Sequence, residues 1–178
     1  NNQNNYQILP AICGDKCSED NLFSLNPFSS LDNRVVGKKG WKSITVPQIT
    51  IDKIINEYFE TGNVFIKVDT QGFEYKVISG GKEFFSNHDN WLMKMEFGPK
   101  WLLSQGTDPL DLLNYLISNY SVTEFPSCSR YKEAEIEMLF SNEIKLEEAA
   151  DFISYLVLLD KNDCGWCDLF IRSKMVKN

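Results

Sequence analysis

The stretch "VFIKVDTQGFEYKVISGG", Val64 to Gly81, decides how this chain is read. Val64 to Val68 is almost wholly apolar, β-branched or aromatic, the pattern of a central strand buried on both faces. The run ends in Asp69, passes Gly72, and meets a second carboxylate at Glu74. Glycine permits a tight turn, and from about Gly72 a helix gains an apolar side from Phe73, Val77, Ile78 and then Phe84 or Phe85. Gly80 and Gly81 are expected to weaken that helix in its middle or to end it. A strand needs no acid at its tip. In open α/β sheets, however, ligands lie outside the carboxyl ends of the strands, so the stretch reads as the floor of a ligand site.

The flanking sequence extends this pattern. "TIDKIINEYFE" (Thr50 to Glu60) places Ile51, Ile54, Ile55, Tyr58 and Phe59 on one stripe, with Thr50 as cap and Gly62 as stop. "WLMKMEF" (Trp91 to Phe97) is a second buried strand, with Glu96 near its tip. "TDPLDLLNYLISNY" (Thr107 to Tyr120) is a helix capped by Asp108, with Pro109 at its first position, Asp111 favoured by the dipole, and Leu110, Leu113 and Ile117 on the buried face. "SVTEF" and "WCDLFIRS" are strands, "KLEEAADFISYLVLL" is a helix, and "DKNDCG" is a turn. Upstream, "YQILPAI" reads as a short strand, and "NLFSL" and "KSITV" alternate as two peripheral strands around a long loop. Alternating strands and helices predict an α/β fold, with a mainly parallel sheet covered by helices on both faces.

At 178 residues, 43% hydrophobic and 24% charged, the chain suits one soluble domain with its own core. A formal net charge of −7 argues against a nucleic-acid partner, and the short basic run "GKKGWK" reads as a solvated loop. The longest apolar run, "FISYLVLL", falls far short of the roughly 20 residues that span a bilayer, so no membrane is expected. "NNQNNYQ" is neither basic nor apolar, unlike a secretory leader, which points to a cytoplasmic protein. Five cysteines include the pairs Cys13/Cys17 and Cys164/Cys167 and the single Cys128. Reduced thiols are the first reading, and a zinc site built from the two pairs is the alternative. His88, the one histidine, lies in the polar turn "SNHDN" and reads as a surface residue. Neither G-x-S-x-G nor a phosphate-binding G-x-x-x-x-G-K-[ST] occurs.

Were the two acid-tipped strands neighbours, Asp69 and Glu96 would converge on one crevice. The alternatives are that Asp69 caps the following turn and that Glu96 pairs with Lys67 or Lys94. Glu74 either stabilises the helix start or reaches back into the site.

"FIKVDTQGFEYKVISGG" resembles the signature of the FkbM family of S-adenosylmethionine-dependent methyltransferases, with Lys67, Asp69, Gly72, Glu74, Val77, Ile78 and Gly80 at its matching positions. Gln71 stands where the family usually has glutamate. "ILPAICGDKCSEDNLFSL", "NPFSSL", "VPQITIDKII" and "WLMKMEFGPKWLLSQGTDPLDLLNYLISNY" resemble the segments around it, in family order.

The resemblance implies a Rossmann-like class I methyltransferase fold, S-adenosylmethionine as cofactor, and O-methylation of a small-molecule or glycan hydroxyl. Asp69 and Glu96 are the implied catalytic residues. Ala11, Ile12 and Asp69 would border the cofactor, and Ser29, Ser30 and Glu74 would face the acceptor. No metal is implied. The family's glycine-rich loop and the ribose-binding acid belong before Tyr6, so residues 1–178 are expected to be one domain that begins near the third strand and lacks the first two. Such a chain would bind adenosylhomocysteine weakly or not at all, and its bare sheet edge would favour self-association. A non-catalytic α/β half-domain acting as a binding module is the competing reading.

Overall fold

Short-range chemistry sets the element boundaries. Thr50 Oγ1 accepts a hydrogen bond from Lys53 N at 3.1 Å and starts the first helix. Asp108 Oδ1 accepts from Leu110 N at 2.8 Å and from Asp111 N at 3.4 Å, ahead of Pro109 at the first helical position. The computed structural model describes residues 6–30, 32–59, 62–125, 142–159 and 165–174. In chain order the elements are β1 (Ile12–Cys13), β2 (Ser18–Leu25), β3 (Lys42–Ile49), α1 (Ile51–Tyr58), β4 (Val64–Val68), α2 (Glu74–Ser79), α3 (Lys82–Asn87) and β5 (Trp91–Phe97). There follow α4 (Pro99–Ser104), α5 (Pro109–Asn119), β6 (Tyr120–Phe125), a 3-10 turn (Leu146–Glu148), α6 (Ala149–Leu159) and β7 (Cys167–Ser173).

The single mainly parallel Rossmann-like sheet, short of two strands and with helices on both faces, is not what forms. Among the described residues the strands make two mixed sheets, in the orders β1-β3-β2 and β4-β5-β7-β6. Only β1·β3 and β4·β5 pair in parallel. The β2·β3, β5·β7 and β6·β7 pairs are antiparallel. The last strand enters between β5 and β6 against their direction, and alternation of helix and strand along a sequence carries no information about such an insertion. The α/β class remains.

Several expectations change in detail. The strand predicted over Tyr6–Ile12 is reduced to Ile12–Cys13. β4 is not central: it is the edge of its sheet, with Val68 buried and Phe65 62% exposed. The helix breaks into two at Gly80–Gly81, as those glycines predict, and the backbone of Gly80 lies against that of Gly14, where a Cβ would collide with the Gly14 carbonyl oxygen. The carbonyl of Gly80 also accepts from Asp52 N at 2.9 Å, and Asp52 in turn caps α3 by accepting from Phe84 N at 2.9 Å. On α5, Leu112, Leu113, Leu116 and Ile117 are buried whereas Leu110 is exposed. Ile51 of the α1 stripe is buried, while Tyr58 and Phe59 stay exposed.

The core lies over the second sheet. Met93, Met95 and Phe97 of β5 and Leu169 and Ile171 of β7 pack with Leu113 and Leu116 of α5 and Leu156 of α6. Among the described residues β2 and β3 contribute nothing to this cluster. Each fully buried large aliphatic side chain here contributes roughly 1.5–3 kcal/mol of transfer free energy. Among the described residues no helix is long and apolar enough to cross a membrane.

Candidate active site

β4 and β5 are parallel neighbours with Val68 beside Met95, so the residues that follow, Asp69 and Glu96, emerge at the same end of the sheet. The chain leaves β4 through a turn of unusual backbone. Gln71 has φ +55° and Gly72 φ +104°. The left-handed region is ordinary for glycine and costs a glutamine about 1 kcal/mol or more. A Cβ on Gly72 would also collide with the carbonyl oxygen of Trp101.

Glu74 holds this turn from beneath. It is only 1% exposed, and its Oε1 accepts from Thr70 N at 3.1 Å, Thr70 Oγ1 at 3.0 Å and Gly72 N at 3.0 Å. Burial raises the Glu74 pKa above its ordinary value despite these bonds. The residue therefore neither lies open to an acceptor nor acts only through the helix dipole: it closes the turn that carries Asp69 and Gln71.

On the other side of the turn the Gln71 amide nitrogen donates to Glu96 Oε2 at 2.9 Å and to Asp69 Oδ1 at 3.4 Å. Asp69 Oδ2 accepts from Lys67 Nζ at 2.9 Å. Burial alone would raise the Asp69 pKa, but the Lys67 ammonium outweighs it and holds the carboxyl below its ordinary value. Glu96 goes the other way: burial first, then the negative charges of Asp69 and Glu74, push it up to about 8. At neutral pH the two acids thus differ, Asp69 ionised and Glu96 carrying its proton. Lys94 is engaged with Asp168 at 2.9 Å and Lys67 with Asp69, so neither lysine weighed for Glu96 forms an ion pair with it, although the Lys67 charge lies near enough to be felt.

Asp69 faces a pocket of about 360 Å³ lined also by Ala11, Ile12 and Cys13 from β1 and its approach, by Phe23, Ile44 and Val46 of the first sheet, and by Asn33, Val35, Thr70 and Phe73. The pocket thus lies at the seam of the two sheets, and three residues named from the sequence, Ala11, Ile12 and Asp69, share it. Glu96 stands behind Asp69, in direct side-chain contact with it and bridged to it by the Gln71 amide. Ser29 and Ser30 do not line the pocket; their loop reaches it through Asn33 and Val35. Cys13 is a half-buried free thiol whose pKa desolvation pushes up to about 11. Cys17 and Cys167 are free, and Cys128 and Cys164 lie outside the described residues. Among the described residues no group of three or more His, Cys, Asp or Glu side chains is placed to hold a metal.

The model of the methyltransferase FkbM domain matches residues 1–127. The chain belongs to the FkbM methyltransferase family. No curated protein and no solved structure matches it. The FkbM match ends soon after β6, so α6 and β7, the strand between β5 and β6, lie beyond it.

Sequence reasoning passed over Asn33, Thr70 and Phe73 as pocket residues, and read Gln71 only as a departure from the family pattern. Thr70 and Gln71 were within the quoted motif, where two small or polar residues between an acid and a glycine signal a turn. For Asn33 the long loop offered no signal.

Proposed function

We propose that this FkbM-family chain acts as an S-adenosylmethionine-dependent O-methyltransferase on a hydroxyl of a small molecule or glycan, with the seam pocket as the cofactor site. The observation that carries the reading is that Asp69 and, far away in sequence, Ala11 and Ile12 at the start of β1 line one pocket. Its residues fit the cofactor chemically. Ile12, Phe23, Ile44, Val46 and Phe73 supply apolar walls for a flat heteroaromatic ring, Asn33 and Thr70 supply polar groups for sugar hydroxyls, and Asp69 supplies negative charge for a cationic end. When bound, S-adenosylmethionine supplies an electrophilic methyl group carried on a sulfonium.

The chain's own part is alignment and proton handling. Asp69, held ionised by Lys67, accepts the proton that the acceptor hydroxyl loses as its oxygen gains the methyl. Glu96, behind it, keeps a proton at neutral pH and so spares Asp69 a second full negative charge alongside. The apolar walls limit water at the reacting groups. The net charge of −7 supports an uncharged or cationic acceptor over a nucleic acid. The setting proposed is the cytoplasm, in keeping with Cys13, Cys17 and Cys167 standing as free thiols.

Saturation-transfer NMR, which registers weak binding, tests the site with S-adenosylhomocysteine as the probe. Transfer to the adenine protons is expected with the wild-type chain and not with Ala11→Trp, whose indole would fill the pocket. Equal transfer in both would overturn the pocket assignment. With radiolabelled methyl donor and a panel of hydroxylated acceptors, Asp69→Asn is expected to lower kcat by about 10²–10⁴ with little change in the acceptor's KM. Near-normal turnover would remove Asp69 from proton transfer.

A further inference from the structure

The side chain of Gln71 is built into the site more firmly than a surface turn requires. Its backbone is in the left-handed region, the one non-glycine residue with positive φ among those described. That conformation is disfavoured for glutamine and persists only where the surroundings enforce it. Here Glu74 fixes the amides on either side of Gln71, those of Thr70 and Gly72. The enforced conformation sends the side chain to the two acids, where one nitrogen reaches Glu96 Oε2 at 2.9 Å and Asp69 Oδ1 at 3.4 Å. A carboxamide nitrogen has two hydrogens, one for each carboxyl. A glutamate at this position would present only acceptors to two acids.

We infer that Gln71 is a positioning residue: its side-chain amide spans Asp69 and Glu96 and fixes the two carboxyls relative to each other at the pocket wall. The catalytic meaning of that span rests on the role proposed for Asp69; the span itself does not. The charged and titratable groups facing Glu96 are Asp69 and Glu74 from the turn and α2, Lys67 from β4, and Asp168 from β7. Asp168 is engaged with Lys94, and Asp69 with Lys67. Gln71 adds the neutral donor that reaches Glu96 and Asp69 together. It turns Asp69, the member that lines the pocket, toward a fixed direction while Glu96 stays behind it.

Three variants separate this role from a purely structural one. Gln71→Gly removes the amide and relieves the backbone, so the protein is expected to fold with an unchanged or higher Tm. Gln71→Asn keeps an amide too short to span both acids. Gln71→Glu keeps the length and removes the donor. The readout is the titration of the Glu96 carboxyl in the ligand-free chain, followed by carbon-13 NMR of labelled glutamate and assigned with Glu96→Gln. Loss of one charge-assisted hydrogen bond disfavours the ionised form, so the Glu96 midpoint is expected to rise by about one pH unit in Gln71→Gly and Gln71→Asn. It is expected to rise further in Gln71→Glu, where a fourth carboxylate faces it. An unchanged midpoint in Gln71→Gly and Gln71→Glu, or a lowered Tm in Gln71→Gly, overturns the inference.

Turnover is a separate readout. Gln71→Gly is expected to lower kcat about tenfold at unchanged KM. An inactive-site result, in which Asp69→Asn also leaves turnover intact, would remove the catalytic reading of Asp69 while the Glu96 titration still decides the role of Gln71.

Discussion

Glu96 takes a proton into a pH range where an exposed glutamate has none, and folding stability must register it. Its folded-state value lies near 8 against an ordinary 4.5, because burial and then the charges of Asp69 and Glu74 disfavour the anion. Between those two values the native chain holds a proton that the unfolded chain has released. Stability is therefore fully present below the ordinary value and falls as pH rises toward 8, by at most about 1.4 kcal/mol per pH unit. Urea unfolding at pH 5.5 and at pH 8 is expected to show a lower midpoint at pH 8, and Glu96→Gln is expected to flatten that difference. A wild-type midpoint that rises over the window contradicts the arrangement. Asp69, held below its ordinary value, acts only at more acid pH and does not offset this slope. At this scale the motif was partly legible: two strands tipped by acids, and a glycine between Asp69 and Glu74, pointed to the turn. What Glu74 does there was not, since a carboxylate in a helix's first turn looks the same whether it faces water or, as here, is buried against Thr70 and Gly72.

At the scale of elements, the turn between β4 and α2 is the piece on which the site depends. Gly72→Ala would place a side chain at φ +104° against the carbonyl of Trp101, at the start of the neighbouring helix α4. Left-handed strain and the backbone collision together are expected to cost about 2–4 kcal/mol, measured by urea unfolding. A loss under about 0.5 kcal/mol would show that the turn is looser than described. Helix starts were the most legible feature, because Thr50, Asp108 and Pro109 act through bonds to residues two or three positions away. Short elements were not. α4 is six residues long, too short for an apolar period to emerge, whereas the break between α2 and α3 falls where Gly80 and Gly81 announced it.

At the scale of the whole molecule, strand order was the feature the sequence concealed. A buried apolar strand reads the same in a parallel or an antiparallel ladder, and nothing local in "WCDLFIRS" announces a strand that inserts between β5 and β6. The second sheet ends in β4, whose far side has no strand partner among the described residues and whose Phe65 is exposed. An edge of this kind invites pairing, and the occupant predicted is β4 of a second copy. Sedimentation is expected to show concentration-dependent association that Phe65→Lys abolishes, and a monomer throughout would refute it. The first sheet is tied to the rest by few bonds, among them Lys76 to Asp15 at 2.7 Å and the two hydrogen bonds between Gln105 and Val36 at 3.0 and 2.9 Å. Because the pocket lies between the parts those bonds join, loosening them would widen the cleft and shorten the stay of a guest held there.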